Sequence, residues 1–165
     1  MTELTSPSVS FNETSIDEFL ESRQEPDWLS DVRRKAWQTF CSMEWPSRAD
    51  EDWMRTDLRL FRLDRFAPTM LGSRVSDVEG LLHTGVDLAG QVKSSDGGLV
   101  SQSLEADLKS QGVLFGDWES MLAEHGDLLR PYLEQPLVDD SCDKFAALHA
   151  AYWSGGRVLY VPRGV

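Results

Sequence analysis

Apolar residues recur at helical spacing early in the chain and shift later to short β-prone runs punctuated by glycine, which predicts a mixed α+β architecture. Residues 1–14 are rich in Ser, Thr and Glu and offer little to bury, so they read as a loose tail. A short helix is expected from Ser15, with Glu18 at capping-box spacing and Ile16, Phe19 and Leu20 on one face. The stretch 26–43 predicts a longer amphipathic helix. Trp28, Val32, Ala36 and Phe40 recur every fourth residue, Leu29 and Trp37 widen the stripe, and Arg33, Arg34 and Lys35 fill the positions between. Pro46 should stop it, because the residue before a proline is steered out of helical geometry.

A second helix is expected near Ser47, with Ser47 or Asp50 as cap and the acidic run at 50–52 favouring the positive end of the helix dipole. Residues 58–66 follow neither period, and Pro68 breaks the pattern. After a Gly- and Ser-punctuated stretch at 69–87, the runs 88–93 and 99–103 flank an Asp-Gly turn signal and predict a β-hairpin. Then follow a short helix or turn at 105–110, a buried strand at 112–115, and a helix at 118–124 capped by Asp117 and ended by Gly126. A further helix should run from Asp127 to Pro136. The last helix starts near Cys142 or Asp143, ends at Gly155-Gly156 as glycine C-caps do, and passes into a strand at 157. The implied organisation is a tail with a short helix over 1–24, a domain over 25–156, and a closing strand over 157–165.

Composition narrows the function classes. The 165 residues carry 16 Lys+Arg against 28 Asp+Glu, a formal charge of −12, which argues against a nucleic-acid binder because counterion release needs a dense basic surface. The N-terminus lacks a basic stretch leading into an apolar run, and no segment approaches the ~20 apolar residues of a membrane span, so a cytoplasmic protein without membrane contact is expected.

Catalytic chemistry finds little to use. His83, His125 and His149 are widely separated and form no metal-binding spacing. His125 reads as a cation at a helix end and His149 as a packed side chain. Cys41 and Cys142 fit neither a disulfide framework nor a ligand pair. No phosphate-binding glycine loop is present. A thiol enzyme using Cys142 with His149 is a minor alternative. Six tryptophans, several beside arginines, point to core packing or to a partner surface, because aromatic residues and Arg concentrate at interface hot spots. The residues assigned to such a surface are Trp28, Arg33, Arg34, Trp37 and Trp53.

Four segments carry a family resemblance: EPDWLSDVRRKAW at 25–37, PSRADEDWMRTDL at 46–58, GVLFGD at 112–117 continuing into EHGDLLRPYL at 124–133, and DKFAALHAAYWSGGRVLYVPRGV at 143–165. In this order they resemble the SufB/SufD family of iron–sulfur cluster assembly scaffolds, respectively its EPxWxxxxRxKA, PSRxxExWxxTDL, GVIFxDxxxAxxEHPELVxxYL and DKFxALNxAxWxGGxFxYVPKGV patterns. The second is typical of SufD. Departures are His149 in place of Asn, Gly126 in place of Pro, and Met54-Arg55 where an aromatic residue commonly precedes Thr56.

The resemblance implies the N-terminal region of a SufD-like, non-catalytic scaffold subunit acting with a SufB-like subunit and a SufC-like ATPase. It implies no cofactor in this chain, the iron–sulfur cluster being handled by the full complex. It also implies that the strand at 157–165 would lead into a parallel β-helix beyond Val165. A free-standing interaction or regulatory module derived from that family, or a SufB-like paralogue, would carry the same segments.

Overall fold

The structure is a computed structural model that describes residues 10–69, 85–95, 98–135 and 137–165. They form five α-helices and two small antiparallel sheets, an α+β arrangement. The chain divides into two compact units that interleave in sequence, Met1–Pro68 with Pro136–Trp153 and Thr69–Gln135 with Ser154–Val165, so the stretch 25–156 contributes to both.

The first unit is helical. Helix α1 spans Glu13–Glu21, and its cap is Asn12, three residues earlier than Ser15. The Asn12 side chain accepts from the Ser15 amide at 2.9 Å and the Asn12 amide donates to Ser15 Oγ at 2.8 Å, so Ser15 closes the capping box from the inside. Ile16, Phe19 and Leu20 are buried, as their spacing predicts.

Helix α2 spans Asp27–Ser42 and buries Leu29, Arg33, Ala36, Trp37 and Phe40. This stripe is rotated from the expected one: Val32 is 39% exposed and Trp28 is half-buried. Residues advance about 100° each, so every four-residue step drifts about 40° and Trp28 lies about 120° from Phe40. One stripe cannot hold both, and the core face takes Arg33 instead.

The helix expected near Ser47 is absent. Only the 3₁₀ turns Glu51–Trp53 and Leu63–Arg65 form there, and Asp50 accepts the Ser47 amide at 2.7 Å. Without an apolar stripe to dock, so short a segment does not recover the cost of helix nucleation.

The last helix of the chain, Lys144–Tyr152, is capped by Asp143, which accepts from the Phe145 and Ala146 amides at 2.7 and 2.9 Å. It ends at Tyr152 rather than at Gly155-Gly156, and neither glycine is left-handed.

The second unit is built on two hairpin-like pairs. Strands β1, Gly90–Ser95, and β2, Gly98–Leu104, pair antiparallel from Gly90 opposite Leu104 to Ser95 opposite Gly98. The predicted turn at Asp96-Gly97 lies outside the described residues. Helix α3, Ala106–Ser110, leads through the left-handed Gly112 into β3, Leu114–Asp117. The closing strand β4, Arg157–Tyr160, pairs antiparallel with β3, Leu114 opposite Tyr160 and Asp117 opposite Arg157. Gly90 admits the Phe115 ring of β3: a Cβ there would sit 2.8 Å from that ring.

Helix α4, Trp118–Leu133, is broken at His125 (φ −133°, ψ 30°), so the two expected helices run on across a kink one residue before Gly126. Helix α5, Lys144–Tyr152, belongs to the first unit. The core of the second unit comprises Val113, Trp118, Met121, Leu122 and Leu129.

Asp117 ends β3 and caps α4. Its carboxylate accepts from the Ser120 amide at 3.1 Å and the Ser120 hydroxyl at 2.6 Å, while its own amide donates to the Gln102 side chain at 3.1 Å. Burial pushes the carboxyl up, but the Ser120 and Glu119 hydrogen bonds outweigh it and hold the group below the ordinary carboxylate value. Asp117→Ala is expected to lower unfolding free energy by about 1 kcal/mol at neutral pH. The carboxyl's folded pKa is depressed below its unfolded value of about 3.9, so its contribution is present above that value and lost as pH falls through the folded one. Denaturation midpoints of wild type and variant should therefore converge at acid pH; a gap independent of pH would show that the charge is not what stabilises the cap.

Candidate functional site

Arg33 faces the core of the first unit, where a cation must be fully partnered. Its side chain is entirely buried and that of Glu25 is 4% exposed. Arg33 Nε donates to Glu25 Oε2 at 2.7 Å and Nη2 donates to Oε1 at 2.8 Å, a bidentate pair. Nη1 donates to the carbonyls of Ala151 (3.2 Å) and Trp153 (2.9 Å), the unsatisfied C-terminal end of α5. The guanidinium also lies 4.1 Å from the Trp153 ring centroid and 5.4 Å from that of Phe19. Arg23 is buried beside the same carboxylate, at 3.7 Å.

The other end of α5 returns the contact. Lys144, also buried, donates through Nζ to the carbonyl of Phe40 at 2.9 Å and to that of Met43, the C-terminal residues of α2. The ammonium lies 4.4 Å from the Phe40 ring centroid. Each helix thus supplies a cation to the negative end of the other, and the two run antiparallel.

Trp37 is buried between these helices, stacked on Phe40 with centroids 5.0 Å apart and edge-on to Tyr152 at 5.6 Å. Its Nε1 donates to Glu13 Oε2 at 2.7 Å, tying in α1. Tyr152 shares a 2.9 Å hydrogen bond with Ser15 Oγ, and burial pushes its phenol up to about 12. Arg34 is exposed and paired with Asp17. Trp53 is half-buried and stacks on Phe145 at 5.1 Å.

The five residues assigned to a partner surface therefore do not share one. Arg33 and Trp37 are core residues, and only Trp28, Arg34 and Trp53 offer exposed area. The pattern places Arg33 on the solvated face because it opens the basic run Arg33-Arg34-Lys35, which gives no sign of burial. The one available signal was Glu25, eight residues upstream on the loop before α2. Lys144 and Trp153 give no local sign for the same reason, their partners Phe40 and Arg33 lying more than a hundred residues away.

Reactive side chains do not converge. His83 lies outside the described residues; His125 sits at the α4 kink, 3.8 Å from Glu124; and His149, expected to pack, is exposed in the last turn of α5. Cys41 and Cys142 are exposed. Burial, with help from Glu13, pushes the Cys41 thiol up against the opposing effect of Lys144. Cys142 precedes the α5 cap Asp143, from which His149 lies about 9 Å further along the helix axis. Among the described residues no three His, Cys, Asp or Glu side chains cluster as metal ligands, and no helix is long and apolar enough to cross a membrane.

No family model matches the chain. The chain is similar to the iron-sulfur cluster assembly protein SufB of Bacillus subtilis, 30% identical over 166 aligned positions that cover 91% of this chain and 34% of SufB. It is similar to an iron-sulfur cluster assembly SufBD family protein of Staphylococcus epidermidis, 30% identical over 93% of this chain and 35% of the relative. Bacillus subtilis SufD is 29% identical over 95% of this chain and 37% of SufD. The chain thus spans about a third of the length of these curated relatives.

The Glu25–Arg33 contact makes an asymmetric prediction. Removing either partner alone, in Arg33→Met or Glu25→Leu, breaks the buried bidentate pair and should cost about 3–5 kcal/mol in urea denaturation. The double variant should cost less than the sum of the two single losses, although Arg23 then also lacks its carboxylate. Single variants costing under about 1 kcal/mol would show that the pair is solvated in solution.

Proposed function

Since the chain belongs over this span to the SufB/SufD family of iron–sulfur cluster assembly proteins, we propose that it is the N-terminal region of a SufD-like scaffold subunit, working with a SufB-like subunit and a SufC-like ATPase. Involvement in iron–sulfur cluster assembly rests on the relatives, whose names describe assembly proteins rather than catalysts. The observation that carries the reading is that residues of the resembling segments are the ones that hold the first unit together. Glu25 and Arg33 form its buried ion pair, Asp143 caps α5, Lys144 holds the end of α2, and Ala147 and Ala151 are fully buried against the neighbouring helices.

The SufD-like assignment rests on the PSRADEDWMRTDL segment at 46–58, because the identities to SufB and SufD are nearly equal. The same equality favours one second reading, a SufB-like paralogue. In either, this region contributes shape and contact surface, and the cluster is cargo of the whole assembly.

Co-expression of the protein with the SufB-like and SufC-like subunits of its own genome tests the proposal. All three should co-purify in a fixed ratio. Recovery of a SufB-like–SufC-like complex that excludes this protein would overturn it.

A further inference from the structure

Around the aromatic cluster of the first unit, the surface changes character. Trp45 and Phe61 both pack on Phe145, with centroids 5.4 Å away in each case, and Phe61 stacks on Phe66 at 6.1 Å. Beyond this packed base, large apolar area stays in the open: Trp45 is 41% exposed, Met54 51%, Phe66 57% and Leu60 90%. A groove of about 300 Å³ opens between Trp45, Leu58, Phe61 and Leu63, with Arg62 and Asp64 completing its lining.

The charge here also departs from the rest of the chain. Residues 54–66 contain four arginines and two aspartates, and no Lys, Glu or His, in a protein of net charge −12. Both aspartates are already occupied: Asp57 is held by Arg59 at 2.6 Å and Asp64 by Arg62 at 2.8 Å. Arg55 and Arg65 are exposed and in excess of these pairs. Exposed Trp, Met, Phe and Arg around a concave apolar groove is the composition of interface hot spots, where a desolvated anchor carries the affinity and surrounding charge sets orientation.

We propose that the surface formed by Trp45 and residues 54–66 docks an acidic protein segment, an apolar side chain of which fills the groove while its carboxylates meet Arg55 and Arg65. Complementarity selects this occupant: residues 54–66 carry a net positive charge in an otherwise acidic molecule, and the recess beside Trp45 is side-chain sized. The inference rests on the reading of the chain as an assembly subunit, since it places the acidic segment on a partner within that assembly.

The test uses the protein with its cognate SufB-like and SufC-like subunits as probes, and compares wild type, Leu60→Asp/Phe66→Asp, and Arg55→Glu/Arg65→Glu. All the substituted positions are exposed, and unchanged thermal melts establish that the variants fold. The apolar variant should weaken binding to one partner at least about tenfold at every salt concentration. The charge variant should weaken it about tenfold near 50 mM salt, with the difference shrinking near 500 mM. Wild-type binding with both variants unaffected overturns this surface and leaves the assembly reading standing. Failure of wild type to bind either probe overturns both. Binding to phosphatidylglycerol-containing vesicles that the variants abolish, with partner binding intact, overturns the protein occupant.

Discussion

A buried arginine has to be satisfied on every side, and the first unit is organised around that requirement. Water offers a guanidinium far more than an apolar core does, so Arg33 is tolerable only where a carboxylate and carbonyl oxygens converge on it. Glu25 supplies the carboxylate from the loop before α2, and the end of α5 supplies two carbonyls. These groups lie more than a hundred residues apart, so forming the site brings distant parts of the chain together. Lys144 repeats the logic in reverse on the last carbonyls of α2. Two helices that each neutralise the other's negative end have their direction and register fixed together, which hydrophobic contact alone would leave looser. Helix α1 is then added through Phe19 beside the guanidinium, the hydrogen bond that Trp37 donates to Glu13, and the one shared by Tyr152 and Ser15.

Much of the fold is legible in the sequence where the signal is local. Asp117 announces itself as a cap because it precedes a helical run, and the pairing of β1 with β2 follows from β-prone runs on either side of an Asp-Gly turn signal. Failures came where the determinant is distant. Residue 33 reads as solvated until Glu25 and the end of α5 are placed beside it. The helix expected near Ser47 has a good cap and no partner face, and a cap does not make a helix. At the far end of α5, Gly155-Gly156 resembles a stop signal, yet the helix has already ended at Tyr152, where Arg33 accepts responsibility for its terminal carbonyls.

The same distinction bears on the proposed docking surface. Aromatic residues and arginines concentrate in this chain for two separate reasons that a linear reading merges. Those on α2 that face α5 build the core, whereas those of 45–66 lie around Phe145 and leave apolar area in the open. Family segments map onto both: the EPDWLSDVRRKAW and DKFAALHAAYW stretches supply the ion-pair frame, and PSRADEDWMRTDL leads into the exposed patch. The helical frame thus displays an irregular, arginine-rich segment at its surface.

Amide hydrogen exchange on the Arg33→Met variant tests the central claim most directly. If Arg33 couples the helices, the amides of Lys144–Tyr152 and of Glu13–Glu21 should lose protection together with those of α2, while β3 and β4 in the other unit keep theirs. Loss confined to the turn around residue 33, with α5 as protected as in wild type, would contradict it.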